Sequence, residues 1–191
     1  MEKLFVSHKT VEIGENCEVG PGTTIWQYSQ IHQNSVIGRN CTLGQNVTLG
    51  PNGIIGNNCK IQNNVSIYEG VIIKDDVFCG PSCVFTNVLT PRANIDRKHQ
   101  FERTIVNKGV SIGANATIIC GIELGEYCMI AAGAVVTKSV PNFALTAGVP
   151  ARQIGWVSRY GDVLAEDLIC PTTGDLYELK NANLFLRSSN G

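Results

Sequence analysis

Ile37-Gly38-Arg39-Asn40-Cys41-Thr42-Leu43-Gly44-Gln45-Asn46-Val47-Thr48-Leu49-Gly50 holds two copies of one six-residue phrase and the start of a third. Each copy opens on a large aliphatic residue, continues with Gly and places a small residue in fifth position. Outward from this stretch the phrase persists. Opening positions read Ile13, Val19, Ile25, Ile31, Ile37, Leu43, Leu49, Ile55, Ile61, Ile67, Ile73, Cys79 and Phe85, with no slip of phase. Fifth positions read Cys17, Thr23, Ser29, Ser35, Cys41, Val47, Gly53, Cys59, Val65, Val71, Val77, Cys83 and Leu89. A second run resumes in a new phase at Val106, Ile112, Ile118, Leu124, Ile130 and Val136, with Val110, Ala116, Ile122, Cys128, Ala134 and Val140 in fifth position.

Neither a helical period of about 3.6 nor a strand period of about 2 accounts for this spacing. A coiled prism does. Each hexad supplies one short strand and one corner, both apolar slots point inward, and three hexads complete a triangular coil of 18 residues. Stacked coils then lie about 4.8 Å apart, the spacing of hydrogen-bonded strands. Gly14, Gly20, Gly38, Gly44, Gly50, Gly56, Gly80, Gly113 and Gly125 in second position, together with frequent Asn, suit corners, where unusual backbone angles are needed. The expected fold is an all-β parallel β-helix over residues 1–140, stabilised by stacking of neighbouring repeats. A C-terminal segment over 141–191 follows. Within it, 168–179 reads as a small hairpin and Asn181-Ala182-Asn183 as a further turn, expected to cap the open end of the prism.

Composition narrows the function. Fifteen basic residues against 16 acidic ones argue against a nucleic-acid partner. No apolar run approaches the length of a membrane-spanning helix, and Met1-Glu2-Lys3-Leu4-Phe5-Val6 lacks the apolar core of a signal peptide. A cytoplasmic setting is therefore expected. Eight cysteines invite a disulfide framework, but Cys17, Cys41, Cys59, Cys83 and Cys128 all fall in the small inward slot. There they read as small buried hydrophobes. Cys41 and Cys59 stack within potential disulfide reach, although a cytosolic setting favours two thiols. No CxxC is present, and no metal is expected.

The repeat breaks once. Pro91-Arg92-Ala93-Asn94-Ile95-Asp96-Arg97-Lys98-His99-Gln100-Phe101-Glu102-Arg103 is polar and charged, so a loop over about 90–105 should leave the prism. Loops on rigid scaffolds commonly carry function; the plain alternative is a solvated insertion. Steps of 18 also define columns. Gln27, Gln45 and Asn63 form one, Tyr28, Asn46 and Asn64 the next, with Gln62 beside them. These amides suit the hydroxyls of a sugar or a nucleotide ring, or else form a ladder between coils. His32, Gly50, Tyr68 and Thr86 make another column, flanked by Gln33, Pro51, Glu69 and Asn87.

The hexad pattern resembles the hexapeptide-repeat acyltransferases, which implies a left-handed winding and a homotrimer with active sites between subunits. The right-handed crossover rule alone would give the opposite hand. The stretch from Ala131-Ala132-Gly133-Ala134 through Lys138 to Gly148-Val149-Pro150-Ala151-Arg152 is similar to the CoA-binding end of those enzymes. The resemblance implies that Ala131, Gly133, Gly148 and Pro150 let the pantetheine arm approach backbone, and that Lys138 and Arg152 meet phosphates as cations.

A narrower resemblance rests on Gln62-Asn63-Asn64-Val65-Ser66-Ile67-Tyr68, Cys79-Gly80-Pro81-Ser82-Cys83-Val84-Phe85-Thr86-Asn87, Pro91-Arg92 and Ala151-Arg152-Gln153-Ile154-Gly155-Trp156. It is to the N-acetyltransferases of nucleotide-linked 3-amino sugars, especially those acting on UDP-2-acetamido-3-amino-2,3-dideoxyglucuronate for O-antigen and lipopolysaccharide synthesis. It implies acetyl-CoA as co-substrate and a nucleotide sugar held by Gln45, Gln62, Asn63, Asn64, Tyr68 and Arg92.

Many relatives begin the protruding loop with a general-base His; here that place reads Thr86-Asn87-Val88. An amide takes no proton, but it accepts a hydrogen bond and aims the donor. A sugar amine titrates near an α-amino group, at about 8, so part of it is neutral at pH 7. Asn87 is the expected catalytic residue, orienting the amine with no enzyme base; His99 in the loop is the rival. Three further readings compete. A hydroxyl O-acetyltransferase needs the missing base. A γ-type carbonic anhydrase needs a histidine triad that His8, His32 and His99 do not space correctly. A non-enzymatic scaffold needs no charged loop.

Overall fold

The computed structural model describes residues 4–181 and 183–187; Ala182 of the expected turn, residues 1–3 and residues 188–191 lie outside them. Short strands, mostly of two residues, follow the hexads and stack into three sheets of nine, seven and six strands, parallel except for the last strand of the first sheet. Lys60–Ile61 of the first sheet pairs with Thr42–Leu43 in the coil before and Phe78–Cys79 in the coil after. Ser66–Ile67 of the second pairs with Thr48–Leu49, and Val71–Ile73 of the third with Ile54–Ile55. The architecture is the expected parallel β-helix of hexapeptide repeats, consistent with the left-handed winding of the family it resembles.

Both inward slots are buried along the prism. Leu43, Leu49, Ile61, Ile67, Ile73, Ile112 and Leu124 are fully shielded from water, as are Val47, Val65, Val110 and Ala116 in the small slot. Ile13 is 37% exposed because the first coil has no coil beneath it. All eight cysteines are free thiols, and burial pushes Cys128 up from 9.0 to about 12. The polar members of the small slot do more than fill space. Thr23, Ser29 and Ser35 donate to the carbonyls of Gly38, Gly44 and Gly50 in the next coil at 2.8–3.0 Å, and Cys59 donates to Lys74 at 3.0 Å. Each hydroxyl also accepts a main-chain N–H from above, as Thr23 does from Cys41 at 3.0 Å.

Glycine and asparagine divide the work at the corners differently from the sequence expectation. The left-handed φ falls on Asn, for instance +57° at Asn34 and +56° at Asn46. The second-position glycines have no such φ; they are needed for close approach, since a Cβ at Gly20 would lie 2.6 Å from the main chain of Arg39. Packing of the next coil, not conformational freedom, excludes a side chain there.

The break also differs by one corner. Leu89 fits the hexad phase, yet it is 59% exposed. The small slot of that coil is filled by Thr104, whose strand Thr104–Val106 pairs with Val71–Ile73. The chain therefore leaves the prism at Asn87. A 3-10 turn at Lys98–Gln100 is the one helical segment among the described residues.

At the C-terminal end, Ala151–Trp156 folds back antiparallel onto Ala144–Gly148 and closes the first sheet. The later hairpin, Tyr177–Lys180 with Asn183–Leu186, is preceded by a bridge between Ile169 and Leu176. It packs where Phe143 stacks on Tyr127 at 5.5 Å and meets Tyr177 edge-on at 5.3 Å. Phe143, Leu164, Cys170, Tyr177 and Leu184 form a second small core there.

Candidate active site

The prism has three edges, and the sequence-predicted residues sort onto them. The edge between the first and second sheets carries Gln27, Gln45 and Asn63. Gln45 donates to Gln27 at 3.1 Å, and its main-chain N–H reaches the amide oxygen of Asn63 at 2.9 Å. Beside them Asn46 donates to Asn64 at 3.1 Å. The amides therefore do ladder, but Gln45, Gln62 and Asn63 still line a groove of about 360 Å³ with Trp26 and Gln27. Trp26, 47% exposed on that groove, escaped the sequence reading; its signal is a large aromatic residue at a second position that is often Gly.

The same edge continues upward into the small-residue stretch. The main-chain N–H groups of Ser82, Asn115 and Gly133 bond to the carbonyls of Asn63, Pro81 and Ala114 in successive coils at 2.9–3.1 Å. The amide column thus runs without interruption into Ala131-Ala132-Gly133. Gly133 has φ +70° and open space where a Cβ would stand.

The edge between the second and third sheets carries His32, Tyr68, Asn87, the loop and Lys138. Asn87 is half-buried. Its carbonyl accepts the N–H of Glu102 at 2.9 Å, and the neighbouring Thr86 hydroxyl accepts the N–H of Cys120 at 2.9 Å. The root of the loop is thereby clamped on both sides. His32 lies three coils before Thr86, on the order of 14 Å away at the usual strand spacing. His99 sits exposed on the 3-10 turn, against the Gln100 amide at 3.3 Å. His8 is on the amide edge, bonded to Thr10 at 2.9 Å.

The loop curls around a concavity of about 520 Å³, lined by Arg92, Arg97 and Lys98 among apolar Val88, Ile95 and Phe101. None of the three cations forms an ion pair among the described residues. Arg92 donates only to the carbonyl of Pro91, at 3.3 Å.

Lys138 and Arg152 both line a cavity of about 210 Å³ at the C-terminal end, with Thr146 also in its wall. Thr146 is 4% exposed and its hydroxyl has no hydrogen-bond partner among the described residues. It occupies an inward slot, paired with Ile130, where an aliphatic residue would be expected. Gly148 and Pro150 lie on the exposed turn beyond, where the Val149–Pro150 bond is cis. One chain therefore brings together Gln45, Gln62 and Asn63, and separately Lys138 and Arg152. It holds Asn87, Tyr68 and Arg92 on a different edge from the amides.

The bacterial transferase hexapeptide pattern matches residues 16–51 and 103–138, and the hexapeptide repeat of succinyl-transferase matches 35–69. The chain thus carries hexapeptide repeats like those of bacterial transferases over residues 16–69 and 103–138. Its matched repeats flank the loop, as the coils do.

Among curated relatives, dTDP-3-amino-3,6-dideoxy-alpha-D-galactopyranose 3-N-acetyltransferase of Aneurinibacillus thermoaerophilus is 54% identical over 59 residues, 31% of each chain. The 2,3,4,5-tetrahydropyridine-2,6-dicarboxylate N-acetyltransferase of Staphylococcus aureus (strain JH9) is 35% identical over 91 residues, 48% of this chain and 35% of that protein. The alignments span about a third of those relatives' lengths.

Two solved structures share the fold at low identity. Perosamine N-acetyltransferase of Caulobacter crescentus, in complex with CoA and GDP-perosamine, has a TM-score of 0.50 at 18% identity, covering 79% of this chain and 57% of that one. The polySia specific acetyltransferase NeuO has a TM-score of 0.52 at 16% identity, covering 78% and 84%. Among the described residues no helix is long and apolar enough to cross a membrane, and no group of three His, Cys, Asp or Glu is placed to hold a metal.

Proposed function

We propose that the chain is an N-acetyltransferase that moves the acetyl group of acetyl-CoA to the 3-amino group of a nucleotide-linked amino sugar. The substrate we assign is UDP-2-acetamido-3-amino-2,3-dideoxy-D-glucuronate, a precursor for O-antigen sugars in the cytoplasm. The likeness to a dTDP-sugar 3-N-acetyltransferase supports the acceptor class. The observation that carries the mechanism is Asn87, a half-buried amide at the root of the loop where a hydroxyl-directed enzyme needs a base.

In this reading Asn87 accepts a hydrogen bond from the acceptor amine and aims its lone pair. The nitrogen attacks the thioester carbonyl carbon, the C–N bond forms, the C–S bond breaks, and the proton lost by nitrogen ends on the CoA sulfur. Arg92, with Arg97 and Lys98, faces the diphosphate or the sugar carboxylate. Gln45, Gln62, Asn63 and Asn64 receive the sugar and nucleotide, and Tyr68 flanks them. Ala131 and Gly133 give the pantetheine arm its track, Lys138 and Arg152 meet the CoA phosphates, and Gly148 and Pro150 shape the turn beside them.

The two edges explain why a homotrimer is part of the proposal. The amides and Asn87 are separated by the width of the second sheet, so a site containing both needs the loop edge of one subunit against the amide edge of the next. The test is direct. Acetyl-CoA is incubated with a panel of nucleotide-linked sugars and thiol release is followed. The UDP-linked 3-amino uronate should react and its 3-hydroxy counterpart should not; thiol release from no amino sugar would overturn the reading.

A further inference from the structure

On two edges of the prism an asparagine amide ends on a carboxylate one coil away, and the two endings differ. On the edge between the third and first sheets, Asn58 donates to Asp76 at 2.9 Å, and Lys108 lies 3.5 Å from the Asp76 carboxylate. On the loop edge, Asn16 donates to Asn34 and Asn34 to Asn52, both at 3.3 Å, and Asn52 donates to Oε1 of Glu69 at 3.1 Å. Three amides thus turn their N–H ends toward one carboxylate, and such chains polarise one another. The column of Asn16, Asn34 and Asn52 continues at Gly70, which has φ +90° and no side chain. Glu69, one residue earlier, provides the acceptor instead.

Glu69 is half-buried and, among the described residues, has no cation paired with it and no second hydrogen-bond donor. Its position explains what a cation would be doing there. The register of Ser66 against Val84 places Glu69 one coil before Asn87, about 4.8 Å along the prism. The strand returning from the loop bonds next to Glu69 and at Asn87: Thr104 donates to the carbonyl of Gly70 and Glu102 to that of Asn87, each at 2.9 Å.

We propose that Glu69 is the residue that selects an amine over a hydroxyl at the acceptor position, acting beside Asn87 on the same nitrogen. This rests on the N-acetyltransferase reading above. When the amine attacks the thioester, its nitrogen becomes positive as the C–N bond forms, and stays so until its proton reaches the departing CoA sulfur. A carboxylate one coil away stabilises that charge, and an ionised acceptor makes a stronger hydrogen bond than a neutral one. A hydroxyl acceptor gains much less. Glu69 does not remove the proton; it makes the positive nitrogen affordable while Asn87 sets its direction.

The variant Glu69→Gln isolates the charge, because its amide oxygen still accepts from Asn52; an unchanged melting temperature checks that the ladder survives. Calorimetry with the intact chain compares a nucleotide-linked 3-amino sugar with its 3-hydroxy counterpart. Wild type should bind the amine about tenfold more tightly, the equivalent of one charge-assisted contact; Glu69→Gln should bind the two alike, and Glu69→Asp should recover part of the preference. A carboxylate raises the pKa of a nearby amine, so in Glu69→Gln the limb of kcat against pH should move to lower pH. The limb of kcat/KM, set by free substrate, should stay. An undiminished amine preference with an unmoved kcat limb overturns the assignment of Glu69. No thiol release by wild type overturns the acetyltransferase reading instead, so the two failures are separable.

Discussion

The main-chain N–H of Glu102 donates to the main-chain carbonyl of Asn87 at 2.9 Å, closing the loop at its root. One hydrogen bond therefore fixes the backbone of the residue proposed to aim the acceptor amine, while the loop beyond it carries the cations. The loop is thus anchored at its root on a coil of the prism.

Replacing Asn87 by Ala should lower kcat on the order of 10²-fold with little change in stability, because the amide orients rather than packs. The pH profile of kcat/KM for wild type should show a single limb, rising toward the amine pKa of about 8. His99→Ala should leave that profile intact. An enzyme limb that disappears in His99→Ala would make His99 the base and sink the proposed role of Asn87.

Subunit mixing tests the two-edge site. Asn87→Ala and the double variant Gln45→Ala, Asn63→Ala should each be impaired alone. Refolded together in equal amounts they should regain about a quarter of wild-type activity, the statistical share of interfaces joining an intact loop edge to an intact amide edge in a symmetric ring. No recovery would mean that both sets serve a site within one chain.

Lys138→Ala and Arg152→Ala should each weaken acetyl-CoA binding roughly three- to tenfold, with the effect fading at high salt as for partly exposed charges. Thr146→Val should behave differently. Its hydroxyl is buried without a partner among the described residues, so the variant should melt at higher temperature, by roughly 1 kcal/mol of added stability. If the hydroxyl meets the cofactor, acetyl-CoA affinity should fall at the same time. Calorimetry at two ionic strengths checks all three.

The small slot offers a paired stability test. Thr23 both donates to Gly38 and accepts from Cys41. Thr23→Val should cost about 1–3 kcal/mol by orphaning those groups. Thr104, 1% exposed with a hydroxyl that has no partner among the described residues, should respond in the opposite sense, Thr104→Val gaining about 1 kcal/mol. Urea midpoints at constant m-value decide it.

Cys128 makes stability fall in alkali. Burial raises its pKa from 9.0 to about 12 in the folded chain. Between those values the unfolded thiol ionises and the folded one does not, so the folded state binds more protons and unfolding becomes easier as pH rises. The contribution is complete below about pH 9 and declines by about 1.4 kcal/mol per pH unit above it. Cys128→Ala, matching Ala116 and Ala134 in the same slot, should flatten part of that decline in thermal melts from pH 8 to 11.

The fold was almost wholly legible in the chain. A six-residue period writes the contacts of each coil locally, because every inward slot packs against the same slot one coil away; Ile37, Leu43 and Leu49 could be placed without knowing anything distant. The period also located the single loop and sorted five cysteines inward. What it could not supply was the end of the repeat. Leu89 satisfies the pattern as well as its neighbours do, and only the competing pairing of Thr104–Val106 with Val71–Ile73 displaces it. The alignment of the amide column with Ala131-Ala132-Gly133, across a break of non-repeating residues, likewise required the coils to be stacked. So did the ladder ending on Glu69. Each depends on contacts between segments that a local period does not relate, and such contacts are settled by which strands win the available hydrogen bonds.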